Sequence, residues 1–505
     1  MDAMLTIFRA GPDGLLPLGW QTRGMKKLFP AVLRFIALPA VLVAVAGAVD
    51  SARPNFVVIM GEAQGWASSS VQMDDAVPGS KSTLAHTPSL EKLAAGGMRF
   101  ANFYASSPRC TPTRAAFFTG KSPAQLHMTF INDGRRRDAG GPDPGRKWIE
   151  PAALMELPAG ELTVGDLLKR AGYATAHFGK WHVGRVSPSQ HGFEENDGPT
   201  GNDGPERNEN PNPEQAFAMT ERGDVFMEKQ VKAKKPFYLQ MSHYPGRRGE
   251  ADVRPETYSA VRRRAGADEG RRVAAVAILE DMDAAIGLVL KKIEELGIAN
   301  HTYVLYTADH GAQGRGANRP LAGGKGTLWE GGIRVPLIVR GPGIQAGTFS
   351  HVPATDVDLL PTLTALARVT EALPKNIEGG SLVPVLAGAG RGTVQRLREG
   401  LGFHFPHWDE GNDGPASALI LGSDKLIRNH ETGALHLYDL AKDLSEAHDL
   451  AMESPQKAAD LDRRLNEYLK AVNAQMPGIN PNYDPGKAKP SEERKGGRKM
   501  KENAP

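Results

Sequence analysis

The chain reads as an α/β protein: a large, mostly parallel sheet sandwiched by helices, with a smaller C-terminal α+β subdomain carrying a short antiparallel sheet. Three observations predict this. Short runs such as Asn55-Phe56-Val57-Val58-Ile59-Met60 are apolar without alternation, as strands buried on both faces are. Between such runs stand segments with apolar residues at helical spacing, the longest marked by Val273, Val276, Leu279, Met282, Ile286, Val289, Ile293 and Leu296. Past residue 388 the rhythm changes to short strand-like runs set close together.

Taken in order, residues 1–24 resemble no domain and read as a non-native extension or a misassigned start. From Met25, the basic Lys26, Lys27 and Arg34 precede an apolar run from Phe35 to Val45 and the small residues Ala46-Gly47-Ala48. That order predicts a signal peptide over 25–48, with export to the periplasm or the exterior. The run is too short and too rich in small residues for a membrane span, although a retained anchor is the alternative. The main α/β domain is expected over 52–388 and the C-terminal subdomain over 389–484.

Within the first of these, Thr111 as N-cap, Pro112 and a stop at Gly120 predict a helix. Its N-terminus would aim free N–H groups at whatever sits on Cys110. A helix over Glu161–Arg170 is expected before a strand over Tyr173–Phe178. Strands are also expected over Pro236–Ser242, Thr302–Thr307 and Ile333–Arg340. Residues 190–215 and 245–270 read as polar loops. Ser417–Ile427 and Leu435–Leu440 suit a hairpin about Glu431-Thr432-Gly433, and Pro455–Val472 an amphipathic helix. The basic stretch 485–505 suits a disordered tail.

Composition narrows the function. In 505 residues, 61 Lys and Arg against 58 Asp and Glu leave a net charge of +3, too small to indicate nucleic acid or an anionic membrane. One cysteine excludes an intrachain disulfide framework and a cysteine-built zinc site. In parallel sheets the chemistry gathers past the carboxyl ends of the strands. Glu62, Lys180, His182, His243, Asp309 and His310 all fall there. Glu62, Asp309 and His310 suit a divalent cation. Lys180, His182, Arg114 and Lys325, the last in Gly323-Gly324-Lys325-Gly326, suit a tetrahedral oxyanion at a helix N-terminus.

These stretches are identified together as similar to the type I, formylglycine-dependent sulfatases of the alkaline phosphatase superfamily. Cys110-Thr111-Pro112-Thr113-Arg114 with Thr119-Gly120 resembles the family's C-x-P-x-R motif and its close. Gly179-Lys180-Trp181-His182, the run from Gly323 to Pro336, Asp356 with Leu360-Pro361-Thr362, and Leu437-Tyr438-Asp439-Leu440 follow in the family's order. The resemblance spans residues 53–475. It implies a sulfuric ester hydrolase acting on a sulfated carbohydrate or another sulfate ester, matured by a formylglycine-generating enzyme that oxidises Cys110. It also implies one divalent metal held by Glu62, Asp309, His310 and the modified Cys110. Of the aldehyde's hydrate, one hydroxyl would attack sulfur and the other would expel sulfate by C–O cleavage. Arg114 would hold the hydrate, Lys180 and Lys325 the sulfate, and His182 a proton.

The sequence also departs from that pattern. Gly61-Glu62-Ala63-Gln64-Gly65 stands where the family has Ala-Asp-Asp-Gln-Gly, and Asp309-His310-Gly311 where it has Asp-Asn-Gly. Calcium is the family's metal, but fewer oxygens and an imidazole favour manganese, zinc or another transition metal. The Asp-His pair resembles phosphonate and phosphodiester hydrolases of the same superfamily, so that activity stays open. A glycan-binding protein with a degenerate metal site is the non-catalytic alternative. A further catalytic histidine is expected after the Pro236–Ser242 strand, where His243 and Arg247 compete for the position. Arg109 is atypical before the cysteine.

Overall fold

The computed structural model describes residues 53–131, 144–204, 215–246, 249–266, 270–314, 316–409 and 411–487. The expected signal peptide, Arg247 and the tail beyond residue 487 lie outside the described residues. The main sheet has eight strands in the order Thr348–Ser350, Met98–Phe100, Leu337–Arg340, Thr302–Ala308, Asn55–Gly61, Phe237–Ser242, Ala174–Gly179 and Glu195–Asn196. Only Leu337–Arg340 runs antiparallel to its neighbours; the other pairings are parallel.

The central strand shows why its sequence is apolar throughout. Alternate side chains leave a strand on opposite faces. Val57 and Ile59 pack under the helices Pro88–Ala95, Ala216–Lys232 and Gly270–Glu295, among Leu93, Phe226 and Ile286. Phe56, Val58 and Met60 face the opposite layer, among Phe117, Leu168 and Leu363 of Cys110–Thr119, Val164–Arg170 and Leu359–Leu366. A sheet covered on both sides buries whole strands, so Asn55–Gly61 has no exposed position. The C-terminal sheet, Leu401–Phe405, Ala416–Leu421, Asp424–Asn429 and Leu435–Asp439, is antiparallel. The helix Pro455–Ala471 covers one face through Leu461, Leu465 and Leu469.

Several expectations need correction. The helix at Cys110 begins two residues earlier, with Arg109 in extended conformation as N-cap and Thr111 already inside the first turn. The Ile333–Arg340 run is split: Glu330–Ile333 is a helical turn, and the strand begins at Leu337, after Pro336 has removed a backbone donor. The insertion 245–270 holds a helix, Pro255–Ala265, and the polar 190–215 stretch opens with a 3-10 turn and the edge strand Glu195–Asn196. Ser417–Ile427 is two strands reversing at Gly422, whose φ of 62° suits the turn. The first residues of the tail, Pro485–Lys487, form a 3-10 turn.

Candidate active site

Four adjacent strand ends build the floor of the site. Asp309 follows Thr302–Ala308, Glu62 follows Asn55–Gly61, His243 follows Phe237–Ser242, and Lys180 follows Ala174–Gly179. The backbone stays paired just past the strands: Asp309 N donates to Gly61 O at 3.2 Å, His243 N to Met60 O at 2.9 Å, and Lys180 N to Ser242 O at 2.8 Å. Gly179 permits the last approach, because at φ 94° a Cβ would stand 2.0 Å from Ser242 O. Lys180 therefore turns inward at the sheet's edge. The Cys110–Thr119 helix meets this floor with its N-terminus, and Lys325 arrives on the loop between Gly323 and Gly326, pinned by Gly326 N to Pro108 O at 3.0 Å.

Arg114 organises the carboxylates. Its Nε and Nη2 donate to Asp309 Oδ2 at 3.2 and 3.0 Å, Nη2 also reaches Glu62 Oε2 at 3.1 Å, and Nη1 donates to Lys180 O at 2.7 Å. Lys180 Nζ donates to Glu62 Oε2 at 2.7 Å. Each carboxylate thus commits one oxygen to Arg114 or Lys180 and turns the other toward Cys110 and His310, where Glu62 Oε1 also lies 3.8 Å from Lys325 Nζ. Glu62 Oε1 lies 3.4 Å from Cys110 Sγ and 3.8 Å from His310 Nε2. Asp309 Oδ1 accepts from Ala63 N at 3.1 Å and lies 3.6 Å from His310 Nε2. His310 Nε2 is 3.2 Å from Cys110 Sγ, while Nδ1 stands 3.0 Å from Gly311 O. An Nδ1–H donated to that carbonyl leaves the Nε2 lone pair facing the cluster.

The charges are matched to this arrangement. Burial raises the affinity of Glu62 for a proton, but Lys180, Lys325 and His310 outweigh it and hold the carboxyl well below the usual range. Burial and the charge of Glu62 push Asp309 up to about 6. Burial and Glu62 oppose ionisation of Cys110, yet Lys180, Lys325 and His310 bring the thiol well below its ordinary value. Burial and Lys180 lower His182, whose Nδ1 is 3.5 Å from Thr111 Oγ1. Burial works against the charge of Lys325, but Cys110, Glu62 and Asp309 raise its affinity for a proton.

The pattern specific to sulfatases matches residues 54–369, and that of the N-sulphoglucosamine sulphohydrolase C-terminal region matches 324–475. The chain belongs to the sulfatase family. It is 31% identical to human arylsulfatase A over 422 residues, 74% of each chain. Human N-acetylgalactosamine-6-sulfatase is 30% identical over 375 residues, 66% of each chain. The fold is also that of Ps i-CgsB, solved in complex with k-i-k-neocarrahexaose, at a TM-score of 0.68 and 20% identity, covering 83% of this chain and 93% of that one.

In this sulfatase the donors suit a divalent ion: one atom each from Glu62, Cys110, Asp309 and His310 lie within 4.8 Å of one another, all buried. The carboxylate oxygens not spent on Arg114 and Lys180 cluster with the imidazole lone pair, and the thiol Sγ marks where an oxygen of a modified residue would stand. His243, which follows the Phe237–Ser242 strand, is 3% exposed. Burial and then Arg114 hold it down to about 3, so it is neutral at physiological pH, and its Nε2 has no hydrogen-bond partner among the described residues.

Sequence reasoning missed three participants. Ala63, where the family places a carboxylate, contributes its backbone N–H at φ 53°. Thr111 faces His182, although it had been expected to act as a cap. Asp409, 300 residues from its partner, grips Arg109 through Nε and Nη2. Position before Cys110 was the only signal for Arg109, and nothing local marked Asp409. No helix among the described residues is long and apolar enough to cross a membrane.

Proposed function

We propose that this sulfatase is exported and hydrolyses sulfate esters of a carbohydrate, using formylglycine made from Cys110 by a formylglycine-generating enzyme and a divalent metal between Glu62, Asp309 and His310. The observation that carries this reading is the convergence of Glu62 Oε1, Asp309 Oδ1 and His310 Nε2 beside Cys110 Sγ, with the other carboxylate oxygens spent on Arg114 and Lys180. With both in place, the two groups supply an oxygen nucleophile at neutral pH that is regenerated without water attacking a sulfate ester.

The remaining work falls to the chain's own side chains. Arg114, buried and fully engaged, fixes both carboxylates and leaves its charge beside position 110. Lys180 Nζ and Lys325 Nζ offset the negative charge of bound sulfate. Lys325 stays protonated and can donate to the departing sugar oxygen. His182, held neutral by burial and Lys180, can accept a proton from the residue at position 110. His243, neutral and with Nε2 unspent, suits a hydrogen bond to a sulfate or sugar oxygen. The imidazole in place of an oxygen ligand favours manganese or zinc over calcium.

Protein co-produced with the maturing enzyme should show formylglycine at position 110 by mass spectrometry, contain a stoichiometric metal, and turn over 4-nitrophenyl sulfate and sulfated sugars. Unmodified, metal-free protein under those conditions would sink the proposal. The Asp309-His310 pair keeps one rival worth a direct comparison. A far higher kcat/KM for aryl phosphonates or phosphodiesters than for aryl sulfate would reassign the reaction.

A further inference from the structure

Arg109 is the residue of the site that neither the metal cluster nor sulfate binding uses. It stands in extended conformation, φ −142° and ψ 149°, immediately before Cys110. Its carbonyl neighbour Pro108 O is tied to Gly326 N, so the segment runs against the loop that carries Lys325. The guanidinium lies close enough to Lys325 for its charge to work against that ammonium. Arg114 and Lys180 are fully buried and committed to Glu62 and Asp309, whereas the side chain of Arg109 retains 14% exposure.

Asp409 gives the guanidinium its orientation by taking Nε and Nη2, which leaves Nη1 without a partner among the described residues. The same loop is shaped by Asn412, whose Oδ1 accepts from Asp409 N at 3.0 Å and Gly414 N at 3.2 Å, and whose Nδ2 donates to His407 O at 2.9 Å. It then lines a shallow groove with Gly326, Trp329, Asn429 and His436, a mixture of aromatic and amide groups suited to the face of a sugar. The groove begins one residue from Lys325. Arg109, paired to Asp409 at the start of that loop and close enough to act on Lys325, stands between the sulfate end of such a sugar and the groove.

We infer that Arg109, oriented by Asp409, binds a second anionic group, a carboxylate or a further ester sulfate, on the saccharide that carries the scissile sulfate. This rests on the sulfatase reading above. An ordinary guanidinium paired on one edge still offers its remaining N–H groups to an oxyanion, and a carboxylate partner holds the plane that such recognition needs. If the Arg109–Asp409 pair only tied the C-terminal loop to the Cys110 segment, its loss would disturb every substrate alike.

The test uses metal-loaded, formylglycine-verified protein as wild type, Arg109→Gln, Arg109→Lys and Asp409→Asn. The substrates are 4-nitrophenyl sulfate, a neutral monosulfated disaccharide, its uronate-containing counterpart and its disulfated counterpart. Wild type should prefer at least one anionic saccharide over the neutral one. The ratio of their kcat/KM values should fall about tenfold in Arg109→Gln, and less in Arg109→Lys, which keeps the charge. Asp409→Asn should reduce the ratio partway. Loss confined to the uronate arm identifies a carboxylate, and loss confined to the disulfated arm a second sulfate. An unchanged ratio in Arg109→Gln, or no preference in wild type, overturns the inference while leaving the sulfatase reading intact. Absence of turnover of every sulfate ester, 4-nitrophenyl sulfate included, defeats that reading instead.

Discussion

The segment from Lys325 to Glu330 joins two buried ionic clusters, and they differ in how completely their charges are spent. In the first, Glu330 and Glu446 face Arg334 and Lys425. Lys425 Nζ is 2.8 Å from both carboxylates, and Arg334 Nε donates to Glu330 Oε2 at 2.6 Å. The rest of Arg334 is consumed by Ala101 O, Asn102 Oδ1 and Tyr104 OH. In the second, Glu62 and Asp309 face three cationic side chains, Arg114, Lys180 and Lys325, and turn one oxygen each toward His310 and Cys110, that of Glu62 shared with Lys325 at 3.8 Å. A closed set of partners holds a structure together; surplus positive charge with unspent donors leaves room for a metal and an anion. The first cluster also serves the second, because Glu446 Oε2 accepts from Glu330 N at 2.7 Å and so fixes the end of the loop that bears Lys325.

The sharpest way to separate the two is to remove a member of each. Cys110→Ala should lower sulfate ester turnover by at least about 10³-fold, since groups acting as a unit fail together, while leaving the thermal midpoint close to wild type; near-normal activity would refute the nucleophile. Lys425→Met leaves two buried carboxylates facing Arg334 alone and should cost about 3–5 kcal/mol in denaturant unfolding. Adding Glu330→Gln to it should recover part of that loss. A single variant as stable as wild type would show that the closed cluster contributes nothing net.

Smaller effects refine the picture. His310→Asn, at the proposed ligand, should move the metal bound, measured by elemental analysis of competing ions, toward calcium; an unchanged ion would place His310 outside the coordination sphere. In the closed cluster, burial and the neighbouring Glu330 raise Glu446 to about 7, with Lys425 opposing. A carboxyl raised in the folded state contributes stability that is complete below its unfolded value near 4.5 and is lost as pH rises through about 7. Between pH 5 and 8, wild type should therefore lose on the order of 1 kcal/mol more than Glu446→Gln. A difference independent of pH would mean that Glu446 is ionised throughout.

Much of this was legible because a parallel sheet sends its functional residues to one edge. The runs ending at Glu62, Lys180, His243 and Asp309 are apolar enough to read as strands, and their adjacency follows from the fold class. What was not legible depends on distant partners or on balance between signals. Pro255–Ala265 buries only Val261, so its arginine-rich sequence gave no apolar stripe. The strand before Arg340 looked longer than it is because Ile333-Arg334-Val335 is buried for another reason, the helical turn that carries Glu330. Glu330, Lys425 and Glu446 are strung over more than a hundred residues and belong to no local pattern. The pairing of Arg109 with Asp409 is equally invisible along the chain.

If Cys110 becomes formylglycine as proposed above, the burial of the Cys110–Thr119 helix sets a clock for that maturation. Thr111, Thr113 and Arg114 have no exposed surface and Cys110 only 3%. An enzyme that reads this stretch as a peptide would find nothing to hold in the folded protein. Oxidation of Cys110 would then have to precede folding, and a molecule that folded first would remain a thiol. The yield of working enzyme would become a race between two rates, and raising the stability of the folded protein afterwards would not recover the molecules that lost it.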